Sequence, residues 1–120
     1  MTDLDAVTRW IDGYRRAWNS NDPEDIGSLF TDDAVYQTAP YHAPWQGRER
    51  IVAGWLEHLD EPGETSFTWQ PISITDEVAV VSGTARYPET VYSNLWVIKL
   101  DPHGRCQEFS EWWMEHPRST

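Results

Sequence analysis

Cysteine is almost missing from this chain. Cys106 stands alone among 120 residues, so no disulfide can form within it, and a reducing compartment fits. Positive charge is scarce too. Nine Lys and Arg against 20 Asp and Glu leave a formal net charge of -11, which repels phosphate backbones and anionic headgroups. Neither nucleic acid nor a membrane surface is therefore an expected partner. No stretch approaches the roughly 20 apolar residues of a membrane-spanning helix. The opening Met1-Thr2-Asp3-Leu4-Asp5 lacks a basic segment followed by an apolar run, so no signal peptide is expected and a cytoplasmic location is the default. His42, His58, His103 and His116 are scattered, with no H-x-x-x-H pair. Glycine-rich phosphate loops and G-x-S-x-G are absent as well. The expectation is no metal and no cofactor.

Aromatic residues, by contrast, are plentiful. They make up 13% of the chain, with eight tryptophans, at a mean hydropathy of -0.65. Disordered chains are poor in aromatics, so this composition reads as a folded domain. Its length suits one domain, expected over residues 1–117 with a frayed tail at 118–120. A tryptophan needs a large apolar volume and a partner for its indole N–H. Here tryptophans fall on predicted helices and predicted strands alike, which suggests a chamber enclosed between the two.

Leu4, Val7, Ile11, Tyr14 and Trp18 recur at helical spacing, with Trp10 and Ala17 on the same face. Thr2 or Asp3 can cap that helix. Gly13 inside it costs on the order of 1 kcal/mol against alanine, which points to a close approach by another element. Asp22 and Pro23 start a second, short helix with Ile26, Leu29 and Phe30 as its apolar face. A strand over Ala34–Thr38 follows, then a loop over 39–46 with two prolines. Gly47 opens a third helix, with Ile51, Val52, Trp55, Leu56 and Leu59 inward. The remainder reads as strands over 65–75, 78–87, 91–100 and 105–115, the last two joined by the hairpin turn Asp101-Pro102-His103-Gly104. Helices gathered on one face of a curved, mainly antiparallel sheet make an α+β domain.

Three regions carry a family resemblance. Tyr14-Arg15-Arg16-Ala17-Trp18-Asn19-Ser20-Asn21-Asp22 leading into Leu29-Phe30-Thr31-Asp32-Asp33-Ala34 resembles the opening of nuclear transport factor 2-like domains, and more narrowly their SnoaL-like branch. Gly47-Arg48-Glu49-Arg50-Ile51 is similar to that family's third-helix start. Asn94-Leu95-Trp96-Val97-Ile98, Gly104-Arg105-Cys106 and Glu111-Trp112-Trp113-Met114 resemble its closing strand pair. The resemblance implies a cone: three N-terminal helices packed on a curved sheet, a cystatin-like α+β roll. It specifies fold rather than chemistry, because isomerases, dehydratases, cyclases, epoxide hydrolases and non-catalytic modules share this fold. By resemblance to the ketosteroid isomerases, the oxyanion tyrosine falls on Tyr14. The general-base aspartate falls on or beside Thr38, and the second, protonated aspartate near Trp96. Threonine cannot take a carbon-bound proton at neutral pH and indole cannot replace a carboxylic acid, so steroid isomerisation by that route is not expected.

The candidate chemistry then rests on Glu111, which alternates with Phe109 and Trp113 on one face of the last strand. By resemblance that face points into the cone. A carboxylate among aromatic walls is pushed up by desolvation toward the neutral range that acid–base work requires. The competing reading is a structural salt bridge or an outward position. Arg86 shares a face with Ser82 and Thr84, and two readings fit it: a partner for Glu111 or a ligand's oxygen, or a rim salt bridge. Tyr14 is either a donor to a ligand oxygen or one more core aromatic. Trp18, Tyr36, Thr38, His42, Trp55, Trp96, Phe109 and Trp113 complete the expected lining. The expected occupant is a small, mostly apolar molecule bearing a carbonyl or hydroxyl. Two functions fit it: a cofactor-independent isomerase, cyclase, dehydratase or hydrolase, or a binding or dimerisation module. Tryptophan on both faces of the last strand further predicts a homodimer through the outer sheet surface, with Trp112, Tyr87 and Val97 in the interface.

Overall fold

The computed structural model describes residues 2–38, 43–57, 66–87 and 90–115. Helix α1 runs Leu4–Ser20, started by Asp3, whose carboxylate accepts from the backbone N–H of Ala6 at 2.9 Å. It ends at Asn21, in the left-handed region at φ 51°. Its buried face is Val7, Trp10, Ile11, Tyr14 and Ala17. A Cβ at Gly13 would sit 3.0 Å from Leu29 Cδ2, which is the close approach expected there.

Helix α2 is only Pro23–Gly27, and Phe30 opens strand β1 (Phe30–Gln37) instead of closing the helix face. Phe30 is fully buried and pairs with Cys106, so long-range strand pairing begins the strand four residues earlier than Ala34. Within the expected loop, Trp45–Gln46 form a short strand β2 against Val35 and Tyr36. Helix α3 follows over Arg48–Glu57, then β3 (Ser66–Ile74), β4 (Ala79–Arg86), β5 (Val91–Leu100) and β6 (Cys106–Glu115).

The strands form one sheet in the order β2-β1-β6-β5-β4-β3. Strands β3 to β6 are an antiparallel meander, and β1 adds to β6 in parallel. Two rungs, set two residues apart along the strands, matter most. One runs Trp45, Tyr36, Phe109, Ile98 and Ala79 across β2, β1, β6, β5 and β4. The other runs Glu111, Trp96, Val81 and Pro71 across β6, β5, β4 and β3. Side chains alternate across a strand, so these residues face the helices while their neighbours face away. On the inner side Trp10, Tyr14, Trp96 and Phe109 meet ring to ring, with centroids 4.7–6.5 Å apart.

Candidate functional site

Three elements bring three oxygens together. Tyr14 reaches down from α1, Tyr36 faces it from β1, and Glu111 stands on β6 two residues past Phe109, the cross-strand partner of Tyr36. The Tyr36 hydroxyl donates to Glu111 Oε2 at 2.7 Å and the Tyr14 hydroxyl donates to the same oxygen at 3.0 Å. The two hydroxyl oxygens lie 3.1 Å apart. Both tyrosines are buried and Glu111 is partly buried. Burial, then the negative charge of Glu111 and the proximity of Tyr14, hold the Tyr36 phenol well above its ordinary value of 10.0. Tyr36 therefore keeps its proton at neutral pH and acts as a donor.

Aromatic rings surround this triangle. Tyr14 lies 4.7 Å from Trp96, 4.9 Å from Trp55, 5.7 Å from Phe109 and 6.2 Å from Trp18, centroid to centroid. Trp45 lies 5.0 Å from Tyr36 and carries the Arg50 guanidinium 5.6 Å from its own centroid. It fits because α3 has no side chain at Gly54, where a Cβ would come within 2.6 Å of the indole. Trp10 Nε1 donates to the Leu29 carbonyl at 2.9 Å, and Trp55 Nε1 to Asn21 Oδ1 at 3.3 Å.

The expected site residues thus divide. Tyr14, Tyr36, Glu111, Trp18, Trp55, Trp96 and Phe109 come together on the inner side. Thr38 is partly buried just past the end of β1, and His42 lies outside the described residues.

Three placements need correction. Arg86 does not meet Glu111: Ala79, Val81 and Ala85 are the buried parity of β4, so Ser82, Thr84 and Arg86 take the outer face, and Arg86 is exposed. Trp113 shares the parity of Glu111 but is 58% exposed and packs edge-on against Tyr92 at 5.5 Å. Tyr87 belongs to the inner side, 6.5 Å from Trp18 and 5.6 Å from Tyr92, not to an outer interface. The convergence of Tyr36 with Tyr14 on one oxygen was not foreseen. Its only trace in the chain is the alternation Ala34-x-Tyr36, which puts the phenol on the buried parity of β1. Among the described residues, no three His, Cys, Asp or Glu side chains gather as metal ligands do.

Helices packed on one face of a six-stranded, mostly antiparallel sheet place the fold in the nuclear transport factor 2-like class. The SnoaL-like domain family model matches residues 7–116, and the chain belongs to that family. Solved structures agree on the fold. An NTF-2 like protein of unknown function from Burkholderia xenovorans LB400 superimposes with a TM-score of 0.74 at 13% identity, over 97% of this chain and 88% of that one. A ketosteroid isomerase-like protein from Erwinia carotovora atroseptica SCRI1043 gives 0.67 at 15% identity, over 95% and 97%. The epoxide hydrolase/cyclase-like enzyme SalBIII, with a role in pyran ring formation in the polyether salinomycin, gives 0.71 at 18% identity, over 95% of each chain. Among curated proteins, none matches the sequence.

Proposed function

We propose that this chain binds a small, mostly apolar molecule with a carbonyl or hydroxyl among its inner aromatics, and that Glu111 moves a proton to or from that molecule without a cofactor. The observation that carries this reading is the Tyr14–Tyr36–Glu111 triangle. Each phenol has one proton to donate. With Glu111 ionised, two protons serve three edges. With Glu111 protonated, a third proton lets all three edges carry a hydrogen bond in one ring. A carboxylate that can accept a proton and keep its neighbours satisfied is suited to acid–base work. Structural neighbours that include isomerase-like and epoxide hydrolase/cyclase-like proteins fit this chemistry.

The test is exchange of the α-protons of 1-indanone for deuterium in D2O, followed by proton NMR. Wild-type protein is expected to accelerate exchange over buffer, and Glu111→Gln to return it to the buffer rate with its circular dichroism unchanged. Undiminished exchange by the glutamine variant overturns the role of Glu111.

A second reading, a non-catalytic binding module, is favoured by the same two donors, since they already occupy Oε2. Saturable quenching of tryptophan fluorescence by 1-indanone without accelerated exchange would select it. We further propose a homodimer through the outer sheet face. Trp112 and Met114 are 48% and 72% exposed there, and Trp112 pairs across the strands with Leu95.

A further inference from the structure

Buried indole N–H groups almost always find an acceptor, and leaving one without costs about 1–3 kcal/mol. Trp10 and Trp55 obey this rule through Leu29 and Asn21. Trp96 does not. Its ring is 2% exposed, yet among the described residues Nε1 has no hydrogen-bond partner. Its location is central. Trp96 is the direct cross-strand neighbour of Glu111, its centroid is 4.7 Å from that of Tyr14, and Phe67 stacks on it at 4.8 Å with an interplanar angle of 16°.

The balance of donors and acceptors around that position points one way. The hydroxyls of Tyr14 and Tyr36 both have an acceptor in Glu111 Oε2. The buried side-chain polar atom left without a partner among the described residues is the Trp96 indole nitrogen, whose N–H is a donor, and what would complete it is an acceptor. An apolar molecule entering the cluster without an oxygen leaves that N–H orphaned. One that offers a carbonyl or ether oxygen satisfies it and gains orientation beside Glu111. A protonated ligand amine has only donors to offer, so it cannot complete the Trp96 N–H.

We propose that Trp96 Nε1–H is the donor that holds the carbonyl or ether oxygen of a ligand bound next to Glu111, so that Trp96 sets both the ligand's class and its orientation. The inference rests on the small-molecule reading above and deepens it.

The experiment compares indane, 1-indanone and 1-aminoindane, three molecules of one shape with no polar atom, an acceptor and a cationic donor. Indole cross-peaks are read in a proton–nitrogen correlation spectrum of the uniformly labelled wild-type protein, with the Trp96 peak assigned by its loss in Trp96→Phe. 1-Indanone is expected to move that proton downfield by several tenths of a ppm, while indane and 1-aminoindane leave it without a downfield shift. Trp96→Phe is expected to weaken 1-indanone about 3- to 10-fold, the size of one neutral hydrogen bond, and to leave indane unchanged.

Equal shifts with indane and 1-indanone, or equal losses in Trp96→Phe, overturn the role of Trp96 and leave the binding reading intact. An upfield indole proton that no ligand displaces assigns the N–H to an aromatic face and overturns the proposal too. So does a persistent exchange signal from a trapped water. Should none of the three molecules bind at millimolar concentration, the small-molecule reading and this inference fall together. If the phenylalanine variant does not fold, the three wild-type titrations decide by themselves, the Trp96 peak then being assigned through its contacts to Tyr14 and Phe67.

Discussion

At the scale of single residues, the Tyr36 phenol holds its proton more tightly than an ordinary tyrosine does. Its folded-state pKa is raised above the ordinary 10.0, first by burial and then by the charge of Glu111. Below about pH 10 both the folded and unfolded chains hold this proton, and the contribution of Tyr36 to stability is fully present. Above it the unfolded chain releases the proton while the folded one keeps it. The folded state then binds more protons, and stability falls with rising pH. Tyr36→Phe is therefore expected to flatten the loss of stability above pH 10 and, at pH 7, to lower stability by about 1.5 kcal/mol through loss of a hydrogen bond to a carboxylate. Urea unfolding at a series of pH values measures both; an unchanged alkaline slope sinks the argument. Cys106 behaves alike in sign, because burial pushes its thiol far up and its Sγ sits 3.1 Å from the Glu108 carbonyl. It is expected to resist a thiol-specific disulfide reagent at pH 8 and to react only as fast as the protein unfolds.

At the scale of elements, the notch on α3 is the sharpest case. Glycine inside a helix is worth about 1 kcal/mol less than alanine, so Gly54→Ala would ordinarily stabilise. Here the new Cβ meets three atoms of the Trp45 indole at 2.6–2.7 Å, and that ring packs on Tyr36. The expected sign is reversed: a loss of about 1–3 kcal/mol, the usual range for overpacking, with Trp45 more open to acrylamide quenching. A stabilised Gly54→Ala overturns the notch.

The same elements show what was legible in the chain. The period of α1 and the span of β5 could be read directly, because local alternation of apolar and polar residues carries them. Strand β2 could not, because two residues become a strand only when a distant partner such as Tyr36 lies alongside. Phe30 suits a helix face as well as a strand, and its pairing with Cys106 decides the matter from 76 positions away along the chain. The outward position of Arg86 had a local signal. Ala79, Val81 and Ala85 make one apolar parity of β4, and Ser82, Thr84 and Arg86 the polar one, which belongs outside. The Glu111 position was legible from parity with Phe109. The second tyrosine on its carboxylate was not, since the meeting of α1, β1 and β6 depends on tertiary packing.

At the scale of the whole molecule, charge and apolar surface oppose each other. Two copies that each carry a formal charge of -11 repel, while the outer face offers Trp112, Met114, Leu95 and Val97 for mutual burial. Salt acts mainly on the first term: the Debye length falls from about 30 Å at 0.01 M to about 8 Å at 0.15 M. The proposed homodimer is thus expected to strengthen as salt is added, reaching twice the 14.0 kDa chain mass by light scattering at 0.15 M and moving toward a single chain at 0.01 M. Trp112→Lys separates the two terms. It reduces the negative charge, so if charge alone governed association the variant would pair more readily than wild type. If apolar burial supplies the attraction, the variant stays a single chain at both salt concentrations. A wild-type mass of one chain at 0.15 M and micromolar concentration would end the dimer proposal. A variant that pairs better than wild type would move the contact away from the outer face of β6.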